Sequence, residues 1–419
     1  MIKKISKEQI LSALDKVVLG TLFAFVALSV FSISATQIAC GLGGLAWLLR
    51  THLTDSWKDQ RWPLGIPFLL FALASLIAVA NAYDISYSYK SLKKLLEILI
   101  FFWILNCVRD NRLRDMLSLV LIASAAIAGL LGFYQAWDTG IHTGARVEGT
   151  MSIYMTFAGI LMMVGMLACG WIFFRWPASP WLWVATGIIT VCLILTLTRQ
   201  AWLGFIMGLV FLIFFWRKKI LWLLPILLLA VYIASPSQAQ LRIKSIFTHG
   251  TAENMTDRNF EARTNLWRVG WEIFKDYPLT GCGFRCVDLV NEQYPDPMYE
   301  KYNDLLWSVK HIRGMHNNLI QLAVDTGILG VTTWIGIWVC FFRLLYHRSR
   351  AITRDPNECW VTYGSAAAVI AFLAGGCFET NFYDSEVAMV LFFIMALPFA
   401  GSQSERYNLD KNASVSSRI

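Results

Sequence analysis

Three arginines and one histidine stand where such residues need a reason. Arg199 falls in Leu195-Thr196-Leu197-Thr198-Arg199-Gln200-Ala201-Trp202-Leu203-Gly204, with hardly any loop between two apolar runs. A guanidinium that close to hydrocarbon is costly, roughly 2.5 kcal/mol or more at a bilayer centre, so a functional site is its default reading. Snorkelling to the interface is the structural alternative. Arg146, in Gly144-Ala145-Arg146-Val147-Glu148-Gly149-Thr150, reads either as a ligand contact or as a solvated loop residue. Arg263 shares a helical face with Trp267 and Gly270, at i+4 and i+7, which places it on a fixed support. His316 opens His316-Asn317-Asn318, and a short helix is predicted from there to Asp325. On the first turn of that helix the positive dipole end disfavours imidazolium, so the ring is expected to be neutral near pH 7 and able to take a proton. A capping or interface histidine is the alternative.

If these four converge, they define a chemistry. Three guanidinium forks suit a diphosphate, bonding its oxygens bidentately while staying charged. As a sugar leaves that diphosphate, negative charge grows on the terminal oxygen, and fixed arginines stabilise the transition state most. His316 can accept the proton of an attacking hydroxyl. The sequence offers no Asp-x-Asp pair, no HExxH and no Cys/His cluster, so neither a metal nor a cofactor is expected. Lys90, Lys94 and Glu97 are expected to share one helical face, as a basic patch for an anionic headgroup or as a membrane anchor. Lys90, Lys94 and Asn317 are further candidate substrate contacts.

The elements that carry these residues are apolar helices. Of 419 residues 57% are apolar and 15% charged, against about 25% charged in a soluble domain, which argues against a soluble enzyme. Long apolar runs bounded by Lys and Arg predict an all-α polytopic membrane protein with about 12 transmembrane helices, near 17–33, 35–49, 64–82, 95–108, 116–137, 154–174, 181–197, 201–216, 220–235, 328–346, 359–377 and 387–400. Lys16 and Arg50 flank the first two like ends on one side, so Val17–Leu49 is read as a hairpin rather than one long helix. No removable signal peptide is expected. The chain thus divides into a cytoplasmic tail at 1–16, helices 1–9 at 17–235, one large, partly helical periplasmic loop at 236–327, helices 10–12 at 328–400 and a second cytoplasmic tail at 401–419.

With both termini inside, 21 of the 36 Lys and Arg fall in short cytoplasmic segments. This is the positive-inside pattern, so the net charge of +8 is a topology signal and implies no nucleic-acid partner. Within the large loop a helix capped by Asp257 is predicted through about Phe274, stopped by Pro278, Gly281 and Gly283. Seven of the nine cysteines fall in or beside spans. Cys282 and Cys286 lie outside them, where a disulfide is conceivable but their close spacing favours a loose turn pair.

Four pieces in this order resemble a known family. They are Arg146-Val147-Glu148-Gly149-Thr150 with Tyr154-Met155-Thr156-Phe157-Ala158-Gly159; the Arg199 segment; Arg263-Thr264-Asn265-Leu266-Trp267 continuing to Pro278-Leu279-Thr280-Gly281-Cys282-Gly283; and His316-Asn317-Asn318-Leu319-Ile320-Gln321 ending in Asp325-Thr326-Gly327-Ile328-Leu329-Gly330. The chain is similar, from about 140 to 390, to the bacterial O-antigen ligase and O-antigen polymerase superfamily of membrane glycosyltransferases, and most to the ligases. Met315, Cys282 and Cys286 depart from the family pattern.

The resemblance implies metal-independent, inverting transfer of a glycan from undecaprenyl diphosphate, on the periplasmic face of the bacterial inner membrane and among membrane lipids. Arg199 and Arg263 would hold the diphosphate, Arg146 would assist, and His316 would activate the acceptor. The acceptor is a sugar of lipid A–core in a ligase and a lipid-linked repeat in a polymerase. A protein O-oligosaccharyltransferase fits less well, because the chain ends soon after the last span. A lipid or glycan transporter fits less well too, since related halves and interrupted midplane helices are not evident.

Overall fold

The computed structural model describes residues 6–140, 146–175, 177–241, 255–290, 293–294, 314–351 and 355–401. Most of the expected C-terminal tail, and residues 242–254 and 295–313 of the expected loop, lie outside the described residues. Among the described residues every regular element is helical. The main helices are α1 Lys7–Leu28, α2 Ile33–Leu53, α3 Gly65–Ala80, α4 Ile98–Cys107, α5 Asn111–Thr139, α6 Tyr154–Phe174, α7 Pro180–Leu195, α8 Arg199–Arg217, α9 Leu224–Ala234, α10 Met255–Asp276, α11 Asn318–Ala351, α12 Pro356–Gly375 and α13 Ser385–Ala396.

Five of these, α1, α5, α6, α11 and α12, are long and apolar enough to cross a membrane, and α3, α7 and α13 are shorter apolar helices. The chain is a multi-pass membrane protein. Every expected span overlaps a helix, with differences. The first helix starts at Lys7, inside the expected tail, because Ser6 and Gln9 form a capping box there. It is separate from α2, broken by the turn at residues 29–32. At 10 and 11 residues, α4 and α9 are only about 15 Å long, short of a full crossing. Each is entered through a 3-10 segment, Tyr89–Glu97 before α4 and Lys218–Leu223 before α9.

Small residues let the central helices touch. A Cβ on Gly170 of α6 would sit 2.6 Å from the Gly364 Cα of α12, and one on Gly204 of α8 would sit 2.4 Å from the Ala371 carbonyl. Such backbone contact supplies the dispersion that holds helices together where no hydrophobic effect separates helix from lipid. Helices alternate in direction, which sorts the polar ends. Arg61 donates to the carbonyls of Leu105 and Phe399, and Arg114 meets Glu358, at one end. The starts of α6, α8 and α11 and the end of α12 gather at the other.

A small second core docks α10 at that end. Val269, Ile273, Cys282, Cys286, Val287, Val290, Met315 and Val324 are all buried in it. The joint is backbone on backbone. Gly327 (φ 61°) kinks α11, and the turn after α10 inserts into the kink. The amides of Cys282 and Gly283 donate to Val324 and Asp325, closing the first part of α11. The amides of Ile328 and Leu329 donate to Pro278 and Leu279, opening the second. Side chains would block this: a Cβ on Gly281 or Gly327 would lie 2.4 Å from the facing backbone, and both glycines have positive φ. Here the structure corrects the cysteine reading. Cys282 and Cys286 are joined in a disulfide, Cα to Cα 5.7 Å, because the turn folds back within the second core.

Candidate active site

His316 stands just before α11 rather than on its first turn. Its backbone is left-handed (φ 47°), a conformation that costs a non-glycine residue about 1 kcal/mol and cannot continue a helix. The cap is Asn317, whose Oδ1 accepts from the amides of Leu319 and Ile320 at 2.9 and 3.1 Å, while its Nδ2 donates to the Cys377 carbonyl at 2.9 Å. Asn317, expected as a substrate contact, uses its side chain for capping and for holding the following loop. Asn318 is buried and also grips that loop, donating to Asn381 Oδ1 at 2.6 Å and accepting from the Phe382 amide at 3.2 Å. The two asparagines thus fix residues 376–382 against His316.

That loop brings in a residue the sequence reasoning missed. Glu379 places its carboxylate oxygens 3.1 and 3.3 Å from His316 Nδ1. The histidine expected at a helix start thus also has a carboxylate partner. A carboxylate only accepts, so Nδ1 is the donor of this hydrogen bond and Nε2 is the ring nitrogen outside it. Burial pushes the Glu379 carboxyl up, but the hydrogen bond and charge of His316, the Thr380 amide and Arg263 outweigh it and hold it below its ordinary value. The signal in the sequence was faint: one acid between two apolar runs, with no spacing relation to His316.

Arg263 projects from the α10 face expected for it. Trp267 on that face donates from Nε1 to the Met315 carbonyl at 3.0 Å, and a Cβ on Gly270 would meet Ile320 at 2.7 Å. The face therefore lies on the segment that carries His316. Burial disfavours the Arg263 charge, Glu379 and Tyr154 support it, and nearby Arg146 opposes it. Arg146 is held by the turn after α5: Gln135 accepts from the amides of Glu148 and Gly149 at 3.2 and 2.8 Å and donates to the Gly149 carbonyl at 2.7 Å. Its guanidinium rests 4.2 Å from the centre of the Tyr154 ring, another contact the sequence did not single out. Arg146, Arg263, Glu379 and His316 are thus brought together.

Arg199 is the first residue of α8, half-buried, after a reversal of only three residues, Thr196–Thr198. The next carbonyl, of Gln200, would lie 3.4 Å from a Cβ on Gly375, the last residue of α12. Arg199 therefore stands at the same end of the bundle as Glu379. The lysines separate. A 3-10 helix repeats every three residues, not 3.6, so Lys90 falls in line with Lys93 and Leu96, all exposed, and Lys94 with Ser91 and Glu97. The expected common face of Lys90, Lys94 and Glu97 is corrected accordingly. Lys94 turns inward, donating to the Tyr383 carbonyl, and lines an open cleft of about 410 Å³ that Glu379 also lines.

The arrangement joins a proton acceptor fixed by a carboxylate to guanidinium groups suited to an anionic leaving group. No curated protein matches the chain. Residues 184–335, a stretch containing Arg199, Arg263 and His316, match the family model described as O-antigen ligase. The match, over about a third of the chain, makes this stretch similar to the O-antigen ligase superfamily.

Proposed function

We propose that the protein transfers a glycan from undecaprenyl diphosphate to a sugar hydroxyl of lipid A–core, inverting the anomeric centre and using no metal. The observation that carries this reading is His316 paired with Glu379 beside Arg263 and Arg146. The acceptor hydroxyl approaches His316 Nε2, its oxygen attacks the anomeric carbon, and its proton passes to the imidazole. The bond from that carbon to the diphosphate breaks on the opposite face, which inverts the centre. Undecaprenyl diphosphate leaves with the bonding electrons, and Arg263, Arg146 and Arg199 neutralise the charge that develops. Glu379 holds the ring and stabilises the imidazolium that forms.

We place this site on the periplasmic face of the inner membrane, with both termini in the cytoplasm. The disulfide at the site end suits an oxidising compartment, and the arginine-rich end suits the inside. Two measurements test the proposal. In a deletion strain, long glycan stranded on the lipid carrier marks a ligase, whereas single repeats attached to core mark a polymerase. In spheroplasts, a membrane-impermeant maleimide is expected to label the exposed Cys377; labelling of Cys377 only after permeabilisation would reverse the orientation.

A further inference from the structure

The cleft lined by Lys94 and Glu379 has a mixed lining. Ile33, Ile153 and Met155 are its apolar members. Asp384, Glu386, Asn381 and Thr156 are polar ones. A pyranose is likewise mixed, with C–H groups and a rim of hydroxyls, and carboxylates accept strongly from hydroxyls. The cleft offers one ammonium, Lys94, beside the carboxyl groups of Glu379, Asp384 and Glu386, so it is a poorer seat for a diphosphate than the arginine side. The arginine side and the cleft meet at the first turn of α6, where Tyr154 carries Arg146 and Met155 and Thr156 line the cleft. Glu379 reaches both the cleft and His316.

Resting on the glycan-transfer reading above, we propose that this cleft seats the acceptor's terminal sugar, an uncharged or amine-bearing pyranose, with Asp384 and Glu386 as its specificity-determining contacts. The two substrates are then sorted by charge, the diphosphate to the arginines and the acceptor sugar to the carboxylates. Lys94 belongs to the acceptor wall and is no phosphate ligand.

The test uses the purified full-length protein in lipid nanodiscs, with lipid-linked glycan and lipid A–core extracted from the host strain as probes. Asp384→Asn and Glu386→Gln keep size and replace each carboxyl with an amide. Each is expected to raise the KM for lipid A–core about tenfold, the weight of one hydrogen bond to a charged group, and to leave the KM for the lipid-linked donor within about twofold. Asp384 also accepts from the Thr156 hydroxyl and the Glu386 amide. Ile153→Trp therefore serves as a second variant: Ile153 is 49% exposed, so added bulk fills the cleft without entering the core. It too should raise only the acceptor KM. A rise in donor KM, or an unchanged acceptor KM in Glu386→Gln and Ile153→Trp, overturns the assignment while the transfer reading stands. No transfer by the unsubstituted protein would overturn both.

Discussion

The two ends of the bundle use arginine in opposite ways. At one end Arg114 is wholly buried and bridges Asp115 at 3.2 Å and Glu358 at 3.1 Å, while Arg175 reaches Asp115 and Arg348 reaches Glu358. Each of these cations meets a carboxylate, and the network staples the starts of α5 and α12 to the ends of α6 and α11. At the other end, among the described residues, Arg146 and Arg263 have no carboxylate within 4 Å; Arg146 rests on a tyrosine ring and Arg263 feels Glu379 from farther away. A satisfied buried cation holds a fold together. A half-buried cation beside a ring or a distant carboxylate is, on the proposed reading, placed for an anion.

The comparison breaks most visibly in paired variants. Arg114→Ala leaves Asp115 and Glu358 buried without their shared partner, and removing one member of such a network costs about 3–5 kcal/mol. The protein is expected to lose its cooperative thermal unfolding in detergent. Arg263→Ala, by contrast, should unfold at nearly the normal temperature while transferring glycan at least about a hundredfold more slowly. Equal thermal losses in the two variants would erase the distinction between staple and ligand holder. Arg263→Lys sharpens it further, since a point charge cannot replace the fork.

Next in size is Glu379→Gln, which keeps the shape but ends the ionic hold on His316. Transfer should fall about tenfold to a hundredfold with little change in donor KM, as when an imidazole loses its orienting carboxylate. The pairing also has a pH signature. Because the Glu379 carboxyl lies below its ordinary value in the folded chain, the stability it adds is complete above the unfolded value near 4.3 and is lost as pH falls through the lower folded one. The difference in unfolding temperature between the unsubstituted protein and Glu379→Gln should therefore be present at about pH 5 and shrink as pH falls below about 4.

The smallest contrast lies within the 3-10 segment. Lys94→Met should weaken transfer about tenfold, because its ammonium lines the cleft and holds the Tyr383 carbonyl. Lys90→Ala should leave it within about twofold, as surface charges contribute little. Equal effects would restore the single basic face that a 3.6-residue repeat predicts.

These outcomes also mark what the sequence disclosed. Helix positions were legible because apolar runs are long and bounded by basic residues, and Arg263 with Trp267 and Gly270 was legible because periodicity fixes a face. Lys90 and Lys94 were misplaced because the local repeat is three, a property of backbone winding that composition does not encode. Glu379 was invisible because its importance arises only when Asn317 and Asn318 hold the 376–382 loop beside a histidine some sixty residues earlier in the chain. The disulfide was missed for a similar reason: the turn closes on itself only when docked in the kink at Gly327.

The central claim is that His316, oriented by Glu379, accepts the proton of the attacking hydroxyl. Its most direct test is the single-turnover transfer rate of purified His316→Ala protein under saturating lipid-linked donor and lipid A–core. A loss of at least about a hundredfold, with an unchanged unfolding temperature and donor KM, is the predicted result. Transfer at the normal rate would contradict it.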